Sequence, residues 1–188
     1  TATSFFPAKP LGCYGDGGAL LTDDAARAEL WRSLRGHGIG KAKYDVVRIG
    51  LNSRLDTLQA AVLLAKLKVF AAEIEARDRL AKKYEAALKA AVKTPPRPEG
   101  LRSAWAQYTI QHNDRDGLKT RLGEKGVPSA IYYPLPMHLQ TAYHSLGDGE
   151  GSLPVTEGLC QRVLSLPMHP YMDDGTAGQI CEAVLTSL

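Results

Sequence analysis

The chain has 188 residues, a formal net charge of +3 and 44% hydrophobic residues, which fits one or two small globular domains. No apolar run is long enough to cross a bilayer, and the basic pairs Lys41/Lys43 and Lys82–Lys83 are typical of solvated faces, so we expect neither membrane nor nucleic-acid binding. The three cysteines are far apart and no metal-ligand spacing occurs. We therefore expect reduced thiols, a cytoplasmic location and no metal site.

The first segment of the chain is a stiff, glycine-rich loop that carries Lys9. Pro7 and Pro10 restrict the backbone on both sides of this lysine, and the glycines that follow permit tight turns. A short β-type stretch, residues 19–22, comes next. A lysine on such a loop suits a reactive amine, because lysines that lose water lose their proton and become nucleophiles. A solvated loop lysine is the alternative that the residues alone leave open.

Two helices are predicted next. Residues 25–35 are good helix formers, with Thr22 or Asp23 as the N-terminal cap and a glycine at the end. The glycine-rich loop that follows is not a phosphate loop, because it is not preceded by a strand and its lysine is not followed by Ser or Thr. A capping box at residues 53–56 opens a long helix that extends to about residue 91. Its apolar stripe consists of Leu58, Val62, Ala65, Val69, Ala72, Ala76, Leu80, Tyr84 and Leu88. A coiled coil is the alternative, although the stripe is rich in alanine.

The proline-rich run at residues 94–100 predicts a boundary between domains 1–93 and 94–188. The second domain reads as a mixture of helices and strands, which predicts a small α/β domain. Its predicted elements are a strand at 106–112, a helix at 114–125, a strand at 127–133, a helix end and strand at 159–166, and a last helix through residue 185 behind Asp173-Asp174.

Three runs of the chain resemble signatures of the DegT/DnrJ/EryC1/StrS family of pyridoxal phosphate (PLP) sugar aminotransferases. They are SFFPAKPLGCYGDGGA at residues 4–19, GLNSRLDTLQAA at 50–61 and LSLPMHP at 164–170. The resemblance implies an α/β fold of the fold-type I PLP-dependent aminotransferases. The chain would hold the end of the large domain, the long linking helix and the small C-terminal α/β domain. We expect a C-terminal fragment, because family members are about twice as long.

The resemblance also implies roles for individual residues. Lys9 would bind PLP covalently, and Ser4 would donate to its phosphate, unless Ser4 only forms a turn. Asn52 would reach the phosphate of the neighbouring subunit in a homodimer with shared active sites, and an Asn here can also cap a helix. Arg54 would bind an anionic group of the substrate through its bidentate fork, with a surface ion pair as the alternative.

Tyr133 and His138 would face the substrate, while Tyr132 could instead lie in a strand core. The expected partners are glutamate or 2-oxoglutarate and a nucleotide-linked keto sugar, in the biosynthesis of a surface polysaccharide or an antibiotic sugar. The particular residues of the first two runs most resemble those of enzymes that aminate C3 of a UDP-2-acetamido-hexuluronic acid. Two alternatives stay open: a PLP-dependent sugar dehydratase of the same fold, which carries His in place of the lysine, and a non-catalytic dimerisation fragment.

Overall fold

The computed structural model describes residues 1–42 and 44–188, so Lys43 of the predicted basic pair lies outside the described residues. The described chain divides into two units, Thr1–Ala71 and Ala72–Leu188. This division falls inside a long helix, whereas the proline-rich run at residues 94–100 predicts a boundary after residue 93. That boundary stays a prediction.

The first unit begins with two short antiparallel strands. They are β1 (Ala2–Ser4) and β2 (Gly18–Leu20), with Ala2 opposite Leu20 and Ser4 opposite Gly18. The hairpin returns the chain after residue 4, so the loop that contains Lys9 lies between the paired strands. A pair of three-residue strands is marginal by itself and depends on its surroundings for stability.

Helix α1 (Ala25–Arg35) has the predicted bounds, but its cap differs from the prediction. The side chain of Asp24, rather than of Thr22 or Asp23, accepts the backbone N–H of Arg27 at 3.0 Å. Asp24 directly precedes the first helical residue, and only from there does a short carboxylate reach the third N–H of the helix. Gly36 follows as the C-terminal cap, as predicted.

Helix α2 (Thr57–Leu88) is the predicted long helix, but it starts three residues later than the predicted cap at Ser53 implies. The carbonyl of Asp56 accepts the N–H of Ala60 at 2.9 Å, which makes Asp56 the residue before the helix. Ser53 is therefore too far away to cap it, and the capping box does not form. The apolar periodicity that begins at Leu58 predicts that a helix is present but does not define its first residue.

The predicted apolar stripe of α2 is buried in only one of its two parts. Leu80, Tyr84 and Leu88 are at most 7% exposed in the second unit, whereas Leu58 is 81% and Val69 is 49% exposed in the first. In the first unit the buried apolar residue of α2 is Leu63, which lies outside the stripe. The helix packs there against the backbone of the Lys9 loop rather than against an apolar layer.

The second unit pairs β3 (Tyr108–Gln111) with β4 (Val163–Leu166) in antiparallel register. Around this pair lie the end of α2, three further helices and two short 3-10 turns. These are α3 (Arg115–Glu124), the turns Met137–Leu139 and Thr141–Leu146, α4 (Pro154–Arg162) and α5 (Asp174–Leu185). The mixture of helices and strands confirms the predicted α/β class.

Two predicted helices of this unit are confirmed, and one predicted strand is wrong. The side chains of Asp114 and Asp173 accept backbone N–H groups at the starts of α3 and α5. In the predicted strand 127–133 only Ala130 pairs, through two hydrogen bonds with Ser165. Pro128 offers no N–H to a ladder, so the run cannot extend its pairing towards its start.

The core of the second unit joins α2, the strand pair, α3 and α5. Its fully buried members contribute about 1.5–3 kcal/mol each through removal of apolar surface from water. The largest are Tyr84, Tyr108, Leu88, Ile110, Leu118, Leu122, Leu164 and Val184. The third signature run enters this core through Leu164 and Leu166, which explains its alternating leucines. Within the described residues, no helix combines the length and apolarity needed to span a membrane.

Candidate active site

Lys9 lies at the turn of a loop that closes on Phe5. The N–H of Phe5 donates to the carbonyl of Gly17, and the N–H of Cys13 donates to the carbonyl of Phe5, both at 2.8 Å. The N–H of Lys9 donates to the carbonyl of Phe6 at 2.8 Å and forms a tight turn. The backbone of Lys9 is thus fixed by hydrogen bonds within residues 5–17.

The loop has no room for side chains at two of its glycines. A Cβ on Gly12 would lie 2.6 Å from the carbonyl oxygen of Pro7, and one on Gly18 would lie 2.8 Å from the carbonyl oxygen of Thr3. Both distances are shorter than any tolerated contact, so the glycines of the signature serve close packing here. Cys13 is fully buried between them, as expected of a packing role, and its thiol donates to two loop carbonyls at 3.0 Å.

The side chain of Lys9 is exposed and makes no hydrogen bond or ion pair with any described residue. Its amine is therefore available for covalent chemistry. The geometry fits a lysine that a rigid loop presents to a ligand.

Ser4 ends strand β1 and forms the turn that was its alternative role. Its hydroxyl oxygen accepts the N–H of Phe6 at 3.2 Å. A hydroxyl has two acceptor positions and one donor, so its O–H is still free to donate to a phosphate oxygen. The turn and the phosphate role are compatible, and the phosphate role stays a prediction.

Asn52 and Arg54 lie together beside an open groove of about 500 Å³ that the β1–β2 hairpin also lines. The Nε of Arg54 donates to the side-chain oxygen of Asn52 at 3.3 Å, which leaves the amide NH₂ of Asn52 and the guanidinium fork free. Asn52 does not cap α2, because that helix begins at Thr57. Arg54 forms no ion pair with the described residues, so its alternative role does not occur within them.

Tyr133 and His138 belong to the second unit and have different surroundings. Tyr133 is 67% exposed, and its ring lies 5.6 Å from that of Tyr132. Tyr132 lies outside the strands and is 43% exposed, so the strand-core alternative for it is wrong. The chain turns away from the sheet after its single bridge at Ala130.

His138 is half-buried against a carboxylate that sequence reasoning missed. Its Nε2 lies 2.9 Å from Oε1 of Glu157 on α4, and that carboxylate also accepts the N–H groups of Gly151 and Leu153. The hydrogen bond from His138, followed by that from Gly151, lowers the pKa of Glu157 below its usual value. His138 therefore anchors its segment to α4 through a charge-assisted contact.

Two further residues missed by sequence reasoning hold the Lys9 loop, namely Gln59 and Lys66 on α2. The Oε1 of Gln59 accepts the N–H of Tyr14 at 2.7 Å, and the Nζ of Lys66 donates to the carbonyl of Gly12 at 2.6 Å. Lys66 lies outside the predicted apolar stripe of the helix, and sequence reasoning assigned it no role. The signal available was the position of Gln59 within the second signature run.

The described residues contain no group of three or more His, Cys, Asp or Glu side chains arranged to hold a metal ion. What the first unit offers is a free amine with a hydroxyl, an amide and a guanidinium group. Amines form covalent bonds with carbonyl compounds, and the other three groups donate hydrogen bonds to anions.

The model of the DegT/DnrJ/EryC1/StrS aminotransferase family matches residues 1–185, and the chain belongs to this family. A UDP-2-acetamido-2-deoxy-3-oxo-D-glucuronate aminotransferase of Pseudomonas aeruginosa is 44% identical over 183 residues, which cover 97% of this chain and 50% of that protein. The chain spans about half the length of the curated relatives it matches.

Solved structures confirm the fold. A DegT/DnrJ/EryC1/StrS aminotransferase from Brucella abortus superimposes with a TM-score of 0.95 at 57% identity, over 98% of this chain and 50% of that one. NtdA from Bacillus subtilis, whose structure contains the bound cofactor PMP, gives 0.89 at 29% identity, over 100% of this chain and 45% of that one. The expected PLP cofactor agrees with this relative, because PMP is the amino form of PLP.

Proposed function

We propose that the protein containing this chain is a PLP-dependent sugar aminotransferase in which Lys9 binds the cofactor. The observation that carries the proposal is the free amine of Lys9 on a hydrogen-bonded loop, in a chain that belongs to this family. Lysine at this position speaks against the dehydratase alternative, which has histidine there.

The donors of the first unit fit part of the cofactor. The free hydroxyl proton of Ser4 and the free NH₂ of Asn52 suit phosphate oxygens, which accept hydrogen bonds. When bound, PLP would supply the electron sink that transamination requires. Lys9 Nζ would hold the cofactor, and after release by the amino donor the same nitrogen would accept and return a proton as general base and acid.

The proposed substrates are glutamate as the amino donor and a nucleotide-linked keto sugar as the acceptor. The Pseudomonas relative acts on a UDP-linked 3-oxo-glucuronate, which supports C3 of a UDP-2-acetamido-hexuluronic acid as the aminated carbon here. Arg54 is the proposed ligand for an anionic group of this substrate, since its guanidinium fork pairs with no described carboxylate. Tyr133, exposed in the second unit, is the proposed contact to the sugar nucleotide, and His138 is proposed to border it.

The proposed active unit is a homodimer in which Asn52 reaches the cofactor of the partner subunit. Two-fold interfaces allow such exchange, because each site then receives the same residue from the other chain. The proposed location is the cytoplasm, which suits the three free and buried cysteines.

The test uses the full-length protein with Lys9→Ala and Lys9→Arg. Purified wild type is expected to show a visible absorbance band of lysine-bound PLP that disappears when glutamate is added. Both variants are expected to lack the band and to lose turnover by several powers of ten, because no other residue replaces a covalent catalytic group. Near-normal turnover in Lys9→Ala would overturn the proposal, and a colourless wild type that glutamate leaves unchanged would favour the non-catalytic alternative.

A further inference from the structure

Gln59 and Lys66 act on the Lys9 loop from the same face of α2. They are seven residues apart, close to two full turns, so their side chains project in nearly the same direction. Gln59 accepts the N–H of Tyr14, and Lys66 donates to the carbonyl of Gly12. The two contacts therefore flank Cys13, the fully buried residue of the loop.

Both contacts use backbone atoms of the loop, so they fix the position of the chain and do not depend on loop side chains. Lys66 also places its Nζ 5.1 Å from the ring centre of Tyr14, a cation–π distance. A Cβ on Gly15 would lie 3.1 Å from Nε2 of Gln59, so Gln59 packs closely on the loop as well as binding it. These contacts define the position of residues 12–15 relative to α2.

The closed loop transmits this position to Lys9. Cys13 is bound through its N–H and its thiol to the carbonyl of Phe5, and Lys9 is bound to the adjacent carbonyl of Phe6. Residues 5–6 and 12–14 thus form one hydrogen-bonded frame that Gln59 and Lys66 attach to the helix. Lys9 lies at the turn of this frame and forms no hydrogen bond with the side chain of Gln59 or Lys66.

We infer that Gln59 and Lys66 are positioning residues for Lys9, an inference that rests on the proposed function. An amine that must bond to a cofactor and then move a proton at the same nitrogen tolerates little displacement. A misplacement of about 1 Å costs about a hundredfold in rate. If residues 12–14 lose these hydrogen bonds to α2, the frame is no longer held against the helix by them. The amine of Lys9 then samples a wider range of positions.

The experiment uses the full-length protein with Gln59→Leu and Lys66→Met, which remove the acceptor and the donor. Gln59→Glu and Lys66→Arg keep them. Lys68→Met is the matched control, because Lys68 is an exposed lysine of the same helix without a hydrogen bond or ion pair to the described residues. Hydrogen exchange of the peptide covering residues 10–16 is measured without cofactor, and turnover is measured with it.

Gln59→Leu and Lys66→Met are expected to speed loop exchange at least about tenfold, because local opening then loses one of its restraints. They are expected to lower kcat about tenfold to a hundredfold with KM for glutamate within about twofold. Gln59→Glu, Lys66→Arg and Lys68→Met are expected to stay near wild type. Loss of folded protein alone would also lower the apparent kcat with KM unchanged, so kcat is calculated per folded, PLP-loaded site. A purely structural role would then leave kcat at the wild-type value.

The inference is overturned if loop exchange and kcat are unchanged in Gln59→Leu and Lys66→Met. It is also overturned if kcat falls as far in Gln59→Glu as in Gln59→Leu. If Gln59→Leu does not accumulate as folded protein, Lys66→Met against Lys68→Met decides the matter. If the wild type binds PLP through lysine but the variants keep wild-type loop exchange and kcat, only the positioning role is refuted. If the wild type binds no PLP through lysine, the proposed function and the positioning role are both refuted.

Discussion

The hydroxyl of Tyr84 donates a hydrogen bond to the carbonyl oxygen of Pro167 at 2.8 Å. Tyr84 lies on the long helix and is fully buried, and Pro167 lies in the third signature run. The contact holds the backbone of this run against a side chain of the helix. Arg77 adds a second such contact, from Nη1 to the carbonyl of Met168 at 3.2 Å.

Tyr84→Phe is expected to lower the free energy of unfolding by about 1–2 kcal/mol. The substitution removes the donor and leaves the Pro167 carbonyl without this partner in a buried setting. Urea denaturation of the full-length protein measures the change. Tyr143→Phe is the control, because Tyr143 is 44% exposed and is expected to be neutral. Equal stability of Tyr84→Phe and wild type would contradict the assignment.

Stability is expected to fall between about pH 4 and pH 2 because of Asp78. Burial alone would raise the pKa of Asp78, but hydrogen bonds from Lys82, Arg97 and Trp105 outweigh it and lower the pKa from 3.8 to about 2. The unfolded chain therefore binds the proton more readily than the folded one. The contribution is complete above the unfolded pKa and is lost as the pH falls through the folded value.

Asp78→Asn tests this network, in which Arg97 approaches Asp78 to 2.8 Å and Trp105 donates its indole N–H at 3.1 Å. The variant is expected to lose about 1–3 kcal/mol at pH 7, since hydrogen bonds to charged groups are stronger than neutral ones. It is also expected to show a shallower loss of stability between pH 4 and pH 2. Parallel pH profiles for Asp78→Asn and wild type would refute the pKa assignment.

Gly12→Ala is expected to disrupt the Lys9 loop. The new methyl group would lie 2.6 Å from the carbonyl oxygen of Pro7, so the backbone must move. This movement is expected to lower the free energy of unfolding by about 2 kcal/mol or more. We expect reduced PLP occupancy, measured by visible absorbance. Gly123→Ala in α3 is the matched control, because a Cβ there meets nothing within 4 Å. It is expected to gain about 0.5–1 kcal/mol through helix propensity. Full occupancy in Gly12→Ala would show that the loop can rearrange.

Co-expression tests the shared active sites of the proposed homodimer. A Lys9→Ala chain and an Asn52→Ala chain are each expected to be inactive. If Asn52 serves the partner's cofactor, a mixed dimer contains one site of two with both residues intact, and activity about half of wild type per mixed dimer is expected. Differently tagged chains allow the mixed dimers to be purified. Mixed dimers without recovered activity, or an active monomer, would refute the sharing.

Sequence reasoning predicted those elements whose signals are local. Helices α1 and α5 follow from helix formers between polar caps and stops, and their bounds agree closely with the structure. The strand 127–133 failed because alternation reports only that a strand is favourable, whereas pairing beyond Ala130 requires a partner and a backbone N–H. The start of α2 failed because Ser53 and Asp56 matched a capping pattern that the backbone does not adopt.

For the candidate site, the sequence predicts the residues that we propose to carry the chemistry, but not the two that we infer to position Lys9. Lys9 was recognisable from its loop and from the signature that surrounds it. Gln59 and Lys66 act over 45 and 54 residues of sequence separation, and no local pattern reports such contacts. Lys66 in particular cannot be distinguished by sequence from the other lysines of α2, because the carbonyl group that it binds belongs to the backbone.

The most direct test of the central claim is to trap PLP on the full-length wild-type protein and find the modified residue. Borohydride reduction fixes lysine-bound PLP irreversibly, and mass spectrometry of the digested protein then locates the label. We predict stoichiometric label on Lys9, with label on other lysines at background level, and loss of the label when glutamate is added before reduction. Label concentrated on another lysine, or no label above background, would contradict the assignment of Lys9 as the residue that binds the cofactor.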